Sequence, residues 1–231
     1  MKKFLLIVLV FLFTNNAFSQ AKYGVKAGVN FSSLSDVKYN IDGAYLFTQF
    51  EKKGMTIGYH AGVFANISLG SILNFQPELL FSMQGGKIQE YSGMLGGSGE
   101  WAPALDLLYQ LGYIQVPLLF EIIPITNLGI LVGAQLSFNL SRKCTSTYKG
   151  HTDIFSGSEL SENFYGSGLK RYDAGLVCGL QYTFMEKISI GVRYNLGLLN
   201  NWNFTASYDE TQTSKGWKSG VIQISMGFCF K

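Results

Sequence analysis

Residues 74–86, "NFQPELLFSMQGG", alternate in a way that a soluble strand does not. Phe75, Pro77, Leu79, Phe81 and Met83 fall on one face, and Gln76, Glu78, Leu80, Ser82 and Gln84 on the other. Successive side chains of a strand point to opposite faces. One wall is therefore greasy, while the other carries a carboxylate among amides and a hydroxyl. Few surroundings reward both at once.

Composition narrows the choice. The 231-residue chain is 47% hydrophobic and only 14% charged, with 27 glycines, 18 Phe and 13 Tyr. Soluble domains average about 25% charged residues. Yet no internal run of about 18 apolar residues exists to form a spanning helix. The apolar residues are dispersed by alternation, which is a β pattern.

The first residues are a separate unit. Lys2 and Lys3 precede the apolar run Phe4 to Phe13, Asn15 and Asn16 break it, and Ala17-Phe18-Ser19 follows. A basic start, a short apolar stretch and small residues at −3 and −1 are the marks of a secretory signal. Cleavage is expected after Ser19, leaving residues 20–231 as one mature domain. Without Lys2 and Lys3 the chain keeps 16 basic residues against 15 acidic. That balance, with no basic stripe, argues against a nucleic-acid partner.

Cys144, Cys178 and Cys229 are odd in number and far apart, and His60 and His151 are the only histidines. A disulfide framework wants an even count in a smaller chain. No pair has metal-ligand spacing, so neither a metal nor a cofactor is expected.

Period-two alternation recurs along the mature chain, at Tyr23–Ser32, Met55–Ser68, the opening stretch, Tyr113–Ile122, Leu128–Leu140, Arg171–Phe184, Ile188–Gly197 and Val221–Phe230. These are eight candidate strands. The links 69–71, 124–126 and 185–187 are short, whereas 33–54, 87–110, 142–169 and 198–217 are long and polar. Short and long links alternate strictly. A soluble barrel has no reason to keep its short turns at one end, but an outer-membrane barrel does, with short periplasmic turns and long extracellular loops. Both termini then lie on the periplasmic side.

Charge placement agrees. No outward face of the eight strands carries an ionised residue, while the opposite faces carry Lys26, Arg171 and Arg193 against Glu78, Glu121 and Asp173. A charge on the lipid face near the midplane costs roughly 2–4 kcal/mol. Inside an eight-stranded barrel, side chains from opposite walls meet and can pair. The expected fold is therefore an all-β, eight-stranded, antiparallel up-and-down transmembrane barrel, closed because lipid offers no partner to a strand edge. Its lumen is expected to hold those six charges as a network. Pro77 and Pro117 each remove a ladder donor, so they are expected at strand ends or bulges. Tyr23, Phe31, Tyr172, Tyr182, Phe184, Phe228 and Phe230 suit interfacial girdles.

The leader, "YGVKAGVNFSSLS", "NFQPELLFSMQGG", "YIQVPLLFEI", "YDAGLVCGLQYTF" and the terminal "IQISMGFCF" together resemble the PorT-like outer-membrane β-barrel family of Bacteroidetes. The resemblance spans the mature chain and rests on barrel-building patterns rather than chemistry. It implies a bacterial outer-membrane location, contact with outer-membrane lipid, and a role connected with secretion across that membrane. The aromatic "FCFK" end resembles the signal read by barrel-assembly machinery, with Lys231 one residue beyond the usual end. Gln115 departs from the glutamate the family usually carries there.

Eight strands leave an interior just wide enough for side chains, so a general diffusion pore is not expected. The leading expectation is a non-enzymatic integral outer-membrane protein, structural or accessory to an envelope or secretion complex, with its loops as contact surface. The alternative is adhesion or ligand capture by those loops, through "GMLGGSGEW" with Trp101, or through "NNWNF" with Tyr208 and Trp217; for Trp202 and Phe204 an aromatic belt is the better reading. An enzyme is the least supported. His60 and Ser68 share a face but stand too far apart on one strand, and His151, Asp153, Ser156, Ser158 and Ser161 belong to a polar loop. Glu78 and Glu121 could act as acid and base, but three cations share their lumen.

Overall fold

The computed structural model describes residues 21–35, 37–39, 46–94, 105–148, 151–156, 169–185, 187–200 and 217–230. Residues 1–20, the turn residue 186 and the tips of the long links lie outside them. Among the described residues eleven strands form: β1 (Ala21–Leu34), β2 (Val37–Tyr39), β3 (Leu46–Gly54), β4 (Thr56–Ser68), β5 (Leu73–Met94), β6 (Leu105–Ile125), β7 (Leu128–Tyr148), β8 (His151–Ser156), β9 (Tyr172–Phe184), β10 (Ile188–Gly197) and β11 (Ser219–Cys229).

Eight of them close a ring. In order β1-β4-β5-β6-β7-β9-β10-β11, each pairs antiparallel with the next. The ring shuts where Gly24 to Leu34 of β1 pair with Cys229 to Ser219 of β11. The short links are tight turns. Asn127 (φ 70°) and Met185 (φ 47°) take left-handed backbone there, a conformation that Asn tolerates better than most residues.

Outward rows are apolar and uncovered by protein, among them Leu79, Phe120, Leu136, Leu180, Val192 and Ile224. The expected girdle aromatics Tyr23, Tyr172, Tyr182, Phe184, Phe228 and Phe230 are exposed on the outside. Neighbours on one face stack edge-on, with ring centroids 4.6 Å apart for Tyr182–Phe184 and 5.9 Å for Phe228–Phe230. Such a surface needs lipid as its solvent.

The structure departs from the sequence expectations in two respects. First, the long links are not plain loops at their roots. β5, β6 and β7 continue well past the eight-strand ring, β3 pairs with the outer half of β5, and β8 folds back on the outer end of β7. In these extensions the alternation inverts. Leu107, Tyr109, Leu111 and Tyr113 point inward and are buried, with Asp106 and Gln110 on the outer face. Inversion is what leaving the membrane requires, because the outside is now water. A bulge assists it on β7: Gly112 pairs with Ser141 and Tyr113 with Asn139, leaving Leu140 unpaired. An extra residue flips the facing of the rest of the strand, so Cys144 and Ser146 point inward beyond it.

Second, Pro77 and Pro117 sit at neither strand ends nor bulges. The β4–β5 ladder skips from Phe64↔Glu78 to Ile67↔Phe75, and β5–β6 skips from Pro77↔Leu118 to Leu80↔Gln115, each with its register unchanged. The missing donors open gaps in the ladder without shifting it.

Candidate functional site

The lumen is filled in layers. At its centre Glu78, inward on β5, meets two cations from other walls. Lys26 Nζ of β1 donates to Glu78 Oε1 at 2.5 Å, and Arg193 Nη1 of β10 donates to Oε2 at 2.7 Å. Gln76 Nε2 adds a bond to Oε1 at 2.7 Å. All three charged side chains are at most 2% exposed. Lys26 also stands 5.3 Å from the centroid of the Phe64 ring, a cation–π contact.

From there a chain of polar contacts crosses the barrel. Arg193 Nε donates to Gln223 Oε1 at 2.6 Å, and Gln223 Nε2 donates to Asn30 Oδ1 at 2.9 Å. Asn30 Oδ1 also meets His60 Nδ1 at 2.7 Å, while its Nδ2 donates to Ser82 Oγ and to the Tyr59 and Met83 carbonyls. Room for the imidazole comes from Gly28, its register partner: a Cβ there would press on the ring and on the β11 backbone.

Towards the short turns, Glu121 forms a second centre. Asn66 Nδ2 and Asn74 Nδ2 donate to its Oε2 at 2.7 and 3.0 Å, and Gln181 Nε2 to its Oε1 at 3.1 Å. This carboxylate is held by three amides and opens onto a vestibule of about 320 Å³, lined also by Lys22, Lys187 and Ser189. Towards the long links, Gln115, Gln135, Ser137, Asp173 and Asn195 surround a cavity of only about 10 Å³, room for roughly one water. Asp173 Oδ2 accepts from Ser219 Oγ at 3.0 Å.

Above this layer the filling turns apolar. Leu34, Ile88, Leu107, Tyr109, Leu111, Tyr113, Cys144, Leu169 and Trp217 form one buried cluster, with Trp217 and Tyr109 ring centroids 5.0 Å apart. Trp217, grouped in the sequence with candidate exposed loop aromatics, is in fact 1% exposed. It is the keystone of an apolar plug. Its position was hidden because strand periodicity ends before it.

Of the six charges expected to share the lumen, the structure joins Lys26, Glu78 and Arg193. Glu121 and Asp173 point inward but sit in separate layers on either side. Arg171 falls outside the network altogether: it lies one residue before β9, exposed, where its backbone carbonyl accepts from Asn139 N. The strand ends too soon to carry it inward. The amides and small hydroxyls that knit the layers together, Asn30, Asn66, Gln76, Gln181 and Gln223, were not singled out from the sequence. Their signal was present in the same inward rows as the charges.

His60 and Ser68 do not meet. His60 faces Asn30, whereas Ser68 Oγ donates to the Gly70 carbonyl at the turn. His151, Asp153 and Ser156 lie on β8, in register with Tyr148, Ser146 and Lys143; Ser158, Ser161, Trp101, Trp202, Phe204 and Tyr208 lie outside the described residues. Cys144 and Cys229 are buried and Cys178 faces outward, with no disulfide among them.

A family model described as outer membrane protein beta-barrel domain matches residues 14–203. No curated protein matches the chain. Among solved structures, the chain is similar to Neisserial surface protein A, at 12% identity and TM-score 0.47, covering 90% of this chain and 97% of that one. It is also similar to Ail of Yersinia pestis, at 12% identity and TM-score 0.43 over 91% and 99% of the two chains. A third similarity is to OprG of Pseudomonas aeruginosa, at 10% identity and TM-score 0.36 over 91% and 96%.

Proposed function

The chain belongs to the outer membrane protein β-barrel domain family, and from that premise we propose that it is a sealed, non-enzymatic barrel of the bacterial outer membrane that acts through its raised extracellular part. The observation that carries this reading is the stacking of two stoppers in one lumen. A buried Lys26–Glu78–Arg193 centre closes the membrane-spanning half, and the Trp217 cluster closes the half above it. Solute passage has no continuous route through such filling. What remains available is the part of β5, β6 and β7 beyond the membrane, with β3 and β8 paired to its edges, over the buried Trp217 cluster.

A firm ectodomain on a sealed anchor suits a contact surface. In this reading the protein is exported by its leader, inserted by barrel-assembly machinery, and serves as a structural or accessory subunit of an envelope or secretion complex, in keeping with the PorT-like sequence patterns. Adhesion through the same surface is the second reading, favoured by the long aromatic-bearing links. Co-purification from native outer membranes with a loop tag separates them. A stoichiometric partner from an export or surface-assembly system supports the accessory role. A partnerless barrel whose cells bind a host glycan or surface only with intact loops supports adhesion. Single-channel conductance in planar bilayers would overturn the sealed barrel on which both rest.

A further inference from the structure

Two buried glutamates of the lumen keep very different company. Glu78 is neutralised by Lys26 and Arg193. Glu121, 3% exposed, accepts only from amides, those of Asn66, Asn74 and Gln181. Among the described residues no cation stands within ion-pair distance of it. Burying a charge is costly unless an opposite charge joins it. One layer of the barrel meets that demand from within, whereas the other faces a cavity.

That cavity is the vestibule at the short-turn end. It holds about 320 Å³, and Glu121 is the only acid in its lining. Small-molecule sites begin at about 300 Å³, so it suits a small guest rather than a folded partner. Behind Glu121 the way is shut, because Gln76 bonds to Glu78 at 2.7 Å and Lys26 and Arg193 fill the centre beyond. A carboxylate offers about four acceptor positions. Asn66 and Asn74 take two on Oε2 and Gln181 takes one on Oε1, which leaves one on Oε1. A side chain at Gly129, another lining residue, would press on that same oxygen; glycine leaves it room. Lys22 and Lys187 also line the vestibule, and both are exposed. Lys22 has a partner of its own, while the Lys187 ammonium has none among the described residues.

We propose that this vestibule binds a small zwitterion, an amino acid or a short peptide, entering from the periplasmic side. The guest's ammonium donates to Glu121 Oε1 on the floor, and its carboxylate meets Lys187 towards the mouth. A calcium ion takes about six to eight oxygen ligands and would find one carboxylate here. A plain amine would pass two lysines with nothing to offer them, and a plain anion would end against Glu121. A molecule that carries both charges answers both ends. The site lies opposite the long links, so it stands under either reading of the extracellular surface. Conductance, which tests the seal, does not test it.

The test uses the folded, purified barrel in mild detergent and isothermal titration with five probes: alanine, glycylglycine, propylamine, propionate and calcium chloride. At least one zwitterion is expected to bind at a single site, more tightly than either single-charge analogue. The preference between alanine and glycylglycine then separates a free amino acid from a peptide. Glu121→Gln is expected to weaken the zwitterion about tenfold or more, the worth of one hydrogen bond to a charged group. Lys143→Gln, at the far rim, is expected to change nothing. The proposal is overturned if propylamine or calcium binds as well as the zwitterions, if no probe binds, or if Glu121→Gln leaves zwitterion binding unaltered. Heat-dependent mobility on gels confirms folding. If Glu121→Gln does not fold, Lys187→Gln decides: it is expected to weaken the zwitterion and leave propylamine unchanged, and an equal effect on both probes, or none on either, overturns the site.

Discussion

Replacing Glu78 by glutamine is the sharpest perturbation the lumen offers. The side chain keeps its size and one carbonyl, but the charge shared by Lys26 and Arg193 disappears. Both cations are almost fully buried, and the neighbouring Gln76 and Gln223 are also buried, so neither cation is open to bulk solvent that could replace the lost partner. Removing one member of a buried ion pair typically costs about 3–5 kcal/mol, and here two cations are stranded at once. Glu78→Gln is therefore expected to lower unfolding stability by about 4 kcal/mol, at or beyond the cost of an average core truncation. The assay is urea unfolding from phospholipid vesicles, monitored by the change in gel mobility between folded and unfolded barrel.

The same reasoning fixes the sign of the rescue. Arg193→Met in the Glu78→Gln background removes one stranded charge, so the double variant should be more stable than the sum of the single losses implies. A coupling of at least about 1 kcal/mol is expected, because contacting residues in one network do not behave additively. Additive losses, or a Glu78→Gln barrel within about 0.5 kcal/mol of the unaltered protein, would refute the claim that this centre is a tight ionic seal.

Three other substitutions probe the plug, the lipid face and the strand pairing. Trp217→Ala should cost about 3–5 kcal/mol in the extracellular extension, seen as faster proteolysis of the long links, while bilayer conductance stays absent because the charged centre still closes the lumen. Val192→Arg, on the lipid face midway along β10, should lose roughly 2–4 kcal/mol in vesicle unfolding; an unchanged midpoint would mean that this face does not meet lipid. Gly62→Val should sharply reduce the yield of folded barrel, since a side chain there would press on the β5 backbone at Leu79 and Leu80, and normal refolding yields would show that the β4–β5 pairing is looser than described.

The sequence by itself determined the barrel. Alternation in eight segments, short and long links in strict turn, and charges confined to one face are local properties of the chain, and a bilayer turns each into a constraint on facing and closure. Lys26, Glu78 and Arg193 were legible as lumenal because a strand's facing follows from position alone. What the sequence did not determine is which charges meet. Strands far apart in the chain become neighbours or opposite walls only once register and shear are set, and those belong to the closed ring. That is why Glu121 and Asp173 fall in separate layers and Arg171 falls outside. The extensions escaped notice for a related reason. In Leu105–Tyr113 the period of two continues, but its polarity is reversed, and only the tertiary structure shows that the surroundings change from lipid to water at that level. Trp217 is the extreme case: no periodicity marks it, and its burial depends on the β6 side chains that happen to stand beneath it.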